Sequence, residues 1–270
     1  MLRVYFGMLK IQSLASGSRG NSILISSDTT KILVDIGLSL TSILKRLNDA
    51  EVDPATINAV FVTHEHSDHI YGVSKFIKKF GCKFYVHEEA CNCFLEKIGA
   101  INPDNVEKFS DEIQVGDIIV NHFPVPHDSN FCYGYTFNVG DAKVSLATDL
   151  GVISDDVLYK MANSQVVLLE CNHDTVKLHN NTKYPYWLKK RITSPTGHLS
   201  NIACSKAIEK LCSLGVGQII LAHLSAENNS PTLAYNVVCD FLKSKGLAPG
   251  KDICIDIALQ DRVSNAYQIN

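Results

Sequence analysis

The chain of 270 residues lacks an uninterrupted apolar run long enough to span a bilayer, so no transmembrane role is expected. It also lacks a charge excess of one sign. Its 25 basic and 28 acidic residues leave a formal net charge of −3, which argues against a strongly basic nucleic-acid coat but leaves room for a local patch. The nine cysteines form no framework: their number is odd, and Cys91-x-Cys93 has no second pair near it. They read as small buried thiols, reduced in the cytosol, rather than as disulfides or metal ligands. Met1 to Lys10 contains no small-residue cleavage site, so no signal peptide is expected. Repeats and low-complexity linkers are missing too. What is present is a 46% hydrophobic, 20% charged composition, which predicts a packed core.

Strand and helix patterns alternate along the chain. Ile11 to Leu14, Ser22 to Ser26, Lys31 to Ile36, Ala59 to Thr63 and Lys83 to His87 read as strands, with a loop Ser16-Gly-Ser-Arg-Gly-Asn21 after the first. A β-rich stretch from Ile113 to Val139 follows, then strands at Val144 to Thr148, Val166 to Glu170 and Gln218 to Ala222. Helices are predicted from Ser39 to about Asn48, from His69 to Phe80 with a stop at Gly81, and from Glu88 to Ile98. Two more are predicted at Ser200 to Leu214 and Pro231 to Lys245. This order predicts an α/β fold, one compact domain over residues 1–270 with two sheets and outer helices.

The sharpest signal is Thr63-His64-Glu65-His66-Ser67-Asp68-His69, directly after an apolar strand. In an extended backbone His64 and His66 point the same way and can share one metal ion. After a turn, Asp68 and His69 can face a second ion. A His/Asp set suits a catalytic site with open positions better than a closed, Cys-rich structural site. Further ligands should lie at later strand ends. His127 after Phe123-Pro-Val-Pro126, Asp149 after Val144-Ser-Leu-Ala-Thr148, and His223 after Ile219-Ile-Leu-Ala222 fit that place.

Taken in this order, the motifs resemble the metallo-β-lactamase superfamily over nearly the whole chain. The resemblance implies an αββα sandwich of two sheets flanked by helices, and two divalent metals. It implies His64, His66 and His127 on one ion, Asp68, His69 and His223 on the other, and Asp149 bridging. Asp35, in Val34-Asp35-Ile-Gly37, matches the family's early Asp and would orient a ligand histidine. The ligand types accept Zn or Mn, with Fe possible, and do not fix the metal.

Three features narrow the substrate toward phosphodiesters. Ser200 and Asn201, after Gly197-His198-Leu199, are good N-cap residues, and a helix N-terminus attracts phosphate. Glu170 closes an apolar strand and can hold the tautomer of His198, which would protonate a leaving oxygen. That pair resembles the one in the tRNA 3′-end processing branch, and the Gly-His segment is similar to that of β-CASP nucleases, although the chain has no room for their full insert. The stretch Lys177 to Arg191, with Lys183, Tyr184, Tyr186, Trp187, Lys189 and Lys190, offers cations for phosphates and aromatics for bases.

The whole set is most similar to the YycJ/WalJ group. The matching stretches include Leu14 to Ser22, Pro124 to Asp128, Ala147 to Gly151, Leu169 to Asp174 and Thr196 to Asn201. This implies a bacterial cytosolic hydrolase, an exonuclease digesting DNA 5′ to 3′, linked to DNA repair. Asp68, His198 and Glu170 would carry the chemistry, with a bridging hydroxide as nucleophile. DNA is expected over RNA, with no membrane partner. Asn172, His173 and Asp174 belong to the pattern without an assigned role. Two other readings stay open: a small-molecule hydrolase of the same fold, acting on a cyclic phosphodiester, lactone or thioester, and a non-enzymatic metal-dependent sensor.

Overall fold

A computed structural model describes residues 7–269. Met1 to Phe6, within the stretch where no signal peptide is expected, lie outside the described residues, as does Asn270. The first half begins with strands β1 (Leu9–Ala15), β2 (Ser22–Ser26) and β3 (Lys31–Val34), helix α1 (Leu40–Asp49) and strand β4 (Ala59–Phe61). Helices α2 (Ser67–Ile70) and α3 (Val73–Phe80), strand β5 (Lys83–His87), helix α4 (Cys91–Ile98) and strand β6 (Val106–Phe109) follow.

The second half runs through β7 (Ile113–Val115), β8 (Ile118–Pro124), β9 (Tyr133–Val139), β10 (Ala142–Ala147), α5 (Asp155–Met161) and β11 (Val166–Glu170). It closes with α6 (Thr175–Asn180), α7 (Tyr186–Ile192), α8 (Asn201–Ser213), β12 (Gln218–Ala222), α9 (Pro231–Ser244), β13 (Cys254–Ile257) and β14 (Tyr267–Ile269).

The strands form two seven-stranded sheets, ordered β14-β1-β2-β3-β4-β5-β6 and β13-β12-β11-β10-β9-β8-β7. Each is antiparallel in one part and parallel in the other: β3 to β6 run parallel in the first sheet, β10 to β13 in the second. The sheets pack face to face through large side chains. Phe61 of β4 meets Tyr135 and Phe137 of β9 edge-on, with centroids 5.7 and 6.5 Å apart, and the buried Tyr135 hydroxyl donates to the Val62 carbonyl at 2.8 Å. Truncating such a buried Phe costs about 3–5 kcal/mol. Helices cover the outer faces. Ile43, Leu47, Phe76 and Phe94 pack on the first sheet, and Leu158, Ile208, Leu211 and Val238 on the second. Two mixed sheets flanked by helices are the expected αββα architecture.

The predicted helix from His69 to Phe80 is two helices that meet at Gly72, where the loop after β3 packs so closely that a Cβ would lie 2.3 Å from the Leu38 carbonyl oxygen; Asp68 and His69 sit on the short first piece rather than at a loop end. Strands β6, β13 and β14 and helices α5, α6 and α7 are not among the predicted elements. They are short, and β13 is a half-exposed edge with little apolar alternation. Among the described residues no helix is long and apolar enough to cross a membrane.

Candidate active site

Parallel strands end together, and loops leaving their carboxyl ends converge on one cleft between the sheets. Asp35 follows β3, His64 follows β4, Asp149 follows β10 and His223 follows β12. Three of these, Asp35, Asp149 and His223, have φ of 63°, 59° and 54°, a left-handed backbone that costs non-glycine residues energy. Gly37 lets the loop after β3 touch α2: a Cβ there would lie 1.6 Å from the Asp68 carbonyl oxygen.

Four buried imidazoles are oriented alike. His69 donates from Nδ1 to Asp35 Oδ2 at 2.8 Å, and His223 donates from Nδ1 to Glu170 Oε1 at 2.8 Å. His127 Nδ1 lies 3.2 Å from the Gly197 carbonyl oxygen. The Thr63 hydroxyl donates to Asp35 Oδ2 at 2.9 Å and lies 3.1 Å from His64 Nδ1. In each ring the outer nitrogen is engaged, which leaves Nε2 turned to the cleft. His66 completes the group, its ring 4.6 Å from that of His64 and its Nδ1 3.3 Å from His127 Nε2.

Asp149 lies among them, with Oδ2 3.3 Å from His69 Nε2 and Oδ1 3.3 Å from His223 Nδ1. Burial would raise its carboxyl, but the His223 and His69 imidazoles hold it well below the usual range. Burial would likewise lower His69, yet the Asp35 and Asp149 carboxylates raise it to about 10. His64, with burial and the neighbouring His69 against it, is driven well below the ordinary imidazole range. Glu170 is fully buried and accepts four hydrogen bonds: Oε1 from His198 Nδ1 at 2.9 Å and from His223, Oε2 from the Leu150 and Leu199 amides at 3.0 Å. Burial pushes its carboxyl up, but the His198 charge and the His198 and His223 hydrogen bonds bring it down to about 2. His198 is raised in return: burial lowers it, and Glu170 more than offsets that.

The donor set fits divalent cations. His64, His66 and His127 offer atoms all within 4.8 Å of one another, and so do Asp68, His69 and His223, and His64, His69 and Asp149. Three donors in these groups, His64 Nε2, Asp149 Oδ2 and His223 Nε2, are buried without a hydrogen-bond partner. Buried polar atoms are normally paired, so three orphans within these overlapping groups are those of a site shaped for cations. Asp149, Glu170, His198 and His223 also converge. There the Glu170 oxygens already accept four hydrogen bonds, which leaves them little capacity for a cation.

Above this floor stands a cleft of about 250 Å³. The segment from α6 through α7 forms one wall, and Tyr184, Leu188 and Arg191 line it. The lysines of this stretch do not. Lys183 pairs with Glu227 at 2.9 Å, Lys189 donates to the His179 carbonyl at 2.6 Å, and Lys190 sits over the Tyr186 ring. Tyr186 and Trp187 are exposed on the outer side, 73% and 65%.

The helix-cap expectation for phosphate is corrected here. Ser200 Oγ caps its own helix by accepting from the Ala203 amide at 3.2 Å, and Asn201 is 1% exposed with its amide held by Asn229 and Cys171. Neither lines the cleft. Sequence reasoning passed over Asn21, whose Nδ2 lies 3.0 Å from His69 Nε2, and the roles of Thr63 and Asp128. It quoted the Asn172 to Asp174 run without a role. Asn172 donates from Nδ2 to the His223 carbonyl at 2.8 Å and lines the cleft, and Asp174 caps α6. The His173 carbonyl accepts from the Asn201 amide at 2.8 Å. Only their place in a matching stretch marked them.

Comparison with known proteins agrees with this geometry. The chain matches the family model of the metallo-β-lactamase superfamily over residues 15–154. It is 35% identical over 245 residues to the exodeoxyribonuclease YycJ of Bacillus anthracis, covering 90% of this chain and 92% of that protein. It is 35% identical over 247 residues to the exodeoxyribonuclease WalJ of Streptococcus pneumoniae, covering 90% and 91%. The crystal structure of the metallo-β-lactamase fold protein YhfI from Bacillus subtilis superposes with a TM-score of 0.73 at 16% identity, over 97% of this chain and 99% of that one. A family model matched over half the chain, relatives at this identity over nine-tenths of it, and a His/Asp cluster at paired strand ends give one answer: the chain belongs to the metallo-β-lactamase superfamily and is an enzyme of its hydrolase type.

Proposed function

We propose that the protein is a metal-dependent phosphodiester hydrolase, a DNA exonuclease digesting 5′ to 3′, acting as one domain over residues 1–270 in the cytoplasm with a link to DNA repair. The observation that carries it is the Glu170 carboxylate shared by His198 and His223. It ties a candidate proton donor to the candidate metal floor through one rigid group. The names of the 35% identical relatives support a nucleic-acid substrate, DNA before RNA.

On this reading His64, His66 and His127 would hold one divalent ion and Asp68, His69 and His223 a second, with Asp149 available to both. Zn or Mn fits the donors, and Fe is accommodated. Such ions would supply Lewis acidity and an acidified water as nucleophile. The chain's own residues do the rest. Asp35 and Thr63 lock His69 and His64 in the tautomer that frees Nε2. Glu170 holds His198 with Nδ1–H toward itself, so that a protonated Nε2 faces the cleft and gives its proton to the leaving sugar oxygen. The cleft of about 250 Å³ over these residues is where the reacting phosphodiester would sit.

The test is digestion of duplex DNA labelled at either end with Mn²⁺, Zn²⁺ or EDTA, beside His64→Ala. Metal-dependent loss of nucleotides from the 5′ end, absent in the variant, is the expected result. Turnover of a small phosphodiester or ester with DNA and RNA left intact would replace this reading with a small-molecule hydrolase of the same fold.

A further inference from the structure

We propose that Arg191 is the anchor for the phosphate that adjoins the scissile one in the substrate strand, with Asp128 as its positioning residue. The inference rests on the nuclease reading and deepens it.

Arg191 is the one Lys or Arg among the described residues that line the cleft. The neighbouring lysines are committed to Glu227, to the His179 carbonyl and to the Tyr186 ring, all outside it. Ions on the floor would engage one phosphate, and the rest of a polyanionic strand is held by fixed positive groups beyond it. Arg191 is built for that place. Its Nε donates to Asp128 Oδ2, while its two terminal nitrogens have no protein partner among the described residues. Those two donors form the planar fork that grips a phosphate through paired hydrogen bonds, a geometry that lysine cannot reproduce.

The anchor's position is set by the catalytic turn itself. Gly197 lies so close to the end of α7 that a Cβ on it would fall 2.3 Å from the Arg191 carbonyl oxygen. The next amide, that of His198, donates to the Ile192 carbonyl at 2.8 Å, and the Gly197 carbonyl contacts His127 Nδ1 at 3.2 Å. One turn therefore fixes Arg191, His198 and His127 relative to one another. Asp128 makes the second link: its Oδ1 is 3.4 Å from His127 Nε2 while its Oδ2 holds Arg191. A whole carboxylate thus separates the guanidinium from the metal floor. With Asp128 standing between it and the floor, the fork is placed for the next phosphate along the strand.

The experiment compares wild type, Arg191→Gln and Arg191→Lys with Mn²⁺ on two substrates. One is a single-stranded oligodeoxynucleotide; the other is bis(p-nitrophenyl) phosphate, which has one phosphate and no neighbour. Arg191→Gln is expected to lose about tenfold more kcat/KM on the oligonucleotide than on the small diester, mainly through KM, with Arg191→Lys recovering part of the loss. Oligonucleotide binding, followed by anisotropy in EDTA, should lose about 0.7 from its slope of log affinity against log salt. Equal losses on both substrates, or no loss on either, would overturn the anchor while leaving the nuclease reading intact. A wild type that hydrolyses the small diester and leaves every oligonucleotide whole would overturn the nuclease reading and this inference with it.

Discussion

The floor and the wall of the cleft are built by opposite means. Floor residues His64, His69, Asp149 and His223 are at most 3% exposed, and three of the strand-end residues that shape the floor carry left-handed backbone. Each imidazole is held from behind by a named partner. The wall, from α6 through α7, buries only Leu178 in its helices and is tied down by surface links such as Lys183–Glu227 and Asn181–Asn228. Strain and buried charge persist only where surroundings over-determine them, so the floor belongs to chemistry that tolerates little displacement. Away from its end at Arg191 and Ile192, which the Gly197–His198 turn holds, this wall has almost no buried contact and can vary to suit a substrate without disturbing that chemistry.

Breaking the floor should have the largest effect. Asp149→Ala removes the group between His69 and His223. Turnover should fall below detection and bound metal, read by elemental analysis, should drop with it. Full metal content with full activity would dissolve the distinction between floor and wall. Next comes the acid: His198→Ala should cost about 10²–10⁴-fold on a substrate with a poor leaving group and much less on a nitrophenyl ester. Equal losses on the two would remove the proton-donor role.

Partners behind the floor come third. Asp35→Asn should weaken metal affinity by about 10–100-fold, measured with a competing chelator, because His69 loses the group that sets its tautomer. Metal affinity should also depend on pH. In the metal-free protein burial lowers the His69 imidazole but the Asp35 and Asp149 carboxylates raise it to about 10, so a cation that takes Nε2 competes with a proton there. Affinity should therefore rise with pH, by about tenfold per unit for each displaced proton, and flatten as His69 titrates. A pH-independent affinity between 6.5 and 9 would contradict this. The smallest effect belongs to the wall. Tyr184→Ala, at the one aromatic ring of the stretch that lines the cleft, should cost about 1 kcal/mol in single-strand binding, the low end for one stacked base, and leave metal affinity alone. A change in metal affinity would show that wall and floor are coupled.

Legibility followed the same divide. The floor could be read because it combines apolar runs with sharp ends: Val166 to Glu170 and Gln218 to Ala222 are strands with the bounds their apolar runs mark, and the ligand candidates sit at or just past such ends. The wall was read as basic and aromatic, but composition does not say which cation faces inward. Lys183, Lys189 and Lys190 turned to protein partners, and Arg191 turned to the cleft. Asn201 failed in the same way. A good cap residue by type, it was drawn into a buried amide network with Asn229 that no local pattern announces.

The sequence by itself determined the alternation of strands and helices, the His/Asp run after β4 and the superfamily, because hydrophobic period and ligand spacing are local properties of the chain. Only the tertiary structure decided which nitrogen of each imidazole faces the cleft, that one Glu170 oxygen serves both His198 and His223, and that Arg191 shares Asp128 with the floor. Those facts depend on residues 20 to 70 positions apart being brought within hydrogen-bond reach, for example Glu170 and His198 at 2.9 Å or His127 and Gly197 at 3.2 Å. Distances of that kind are set by how the two sheets pack, and a one-dimensional pattern does not carry them.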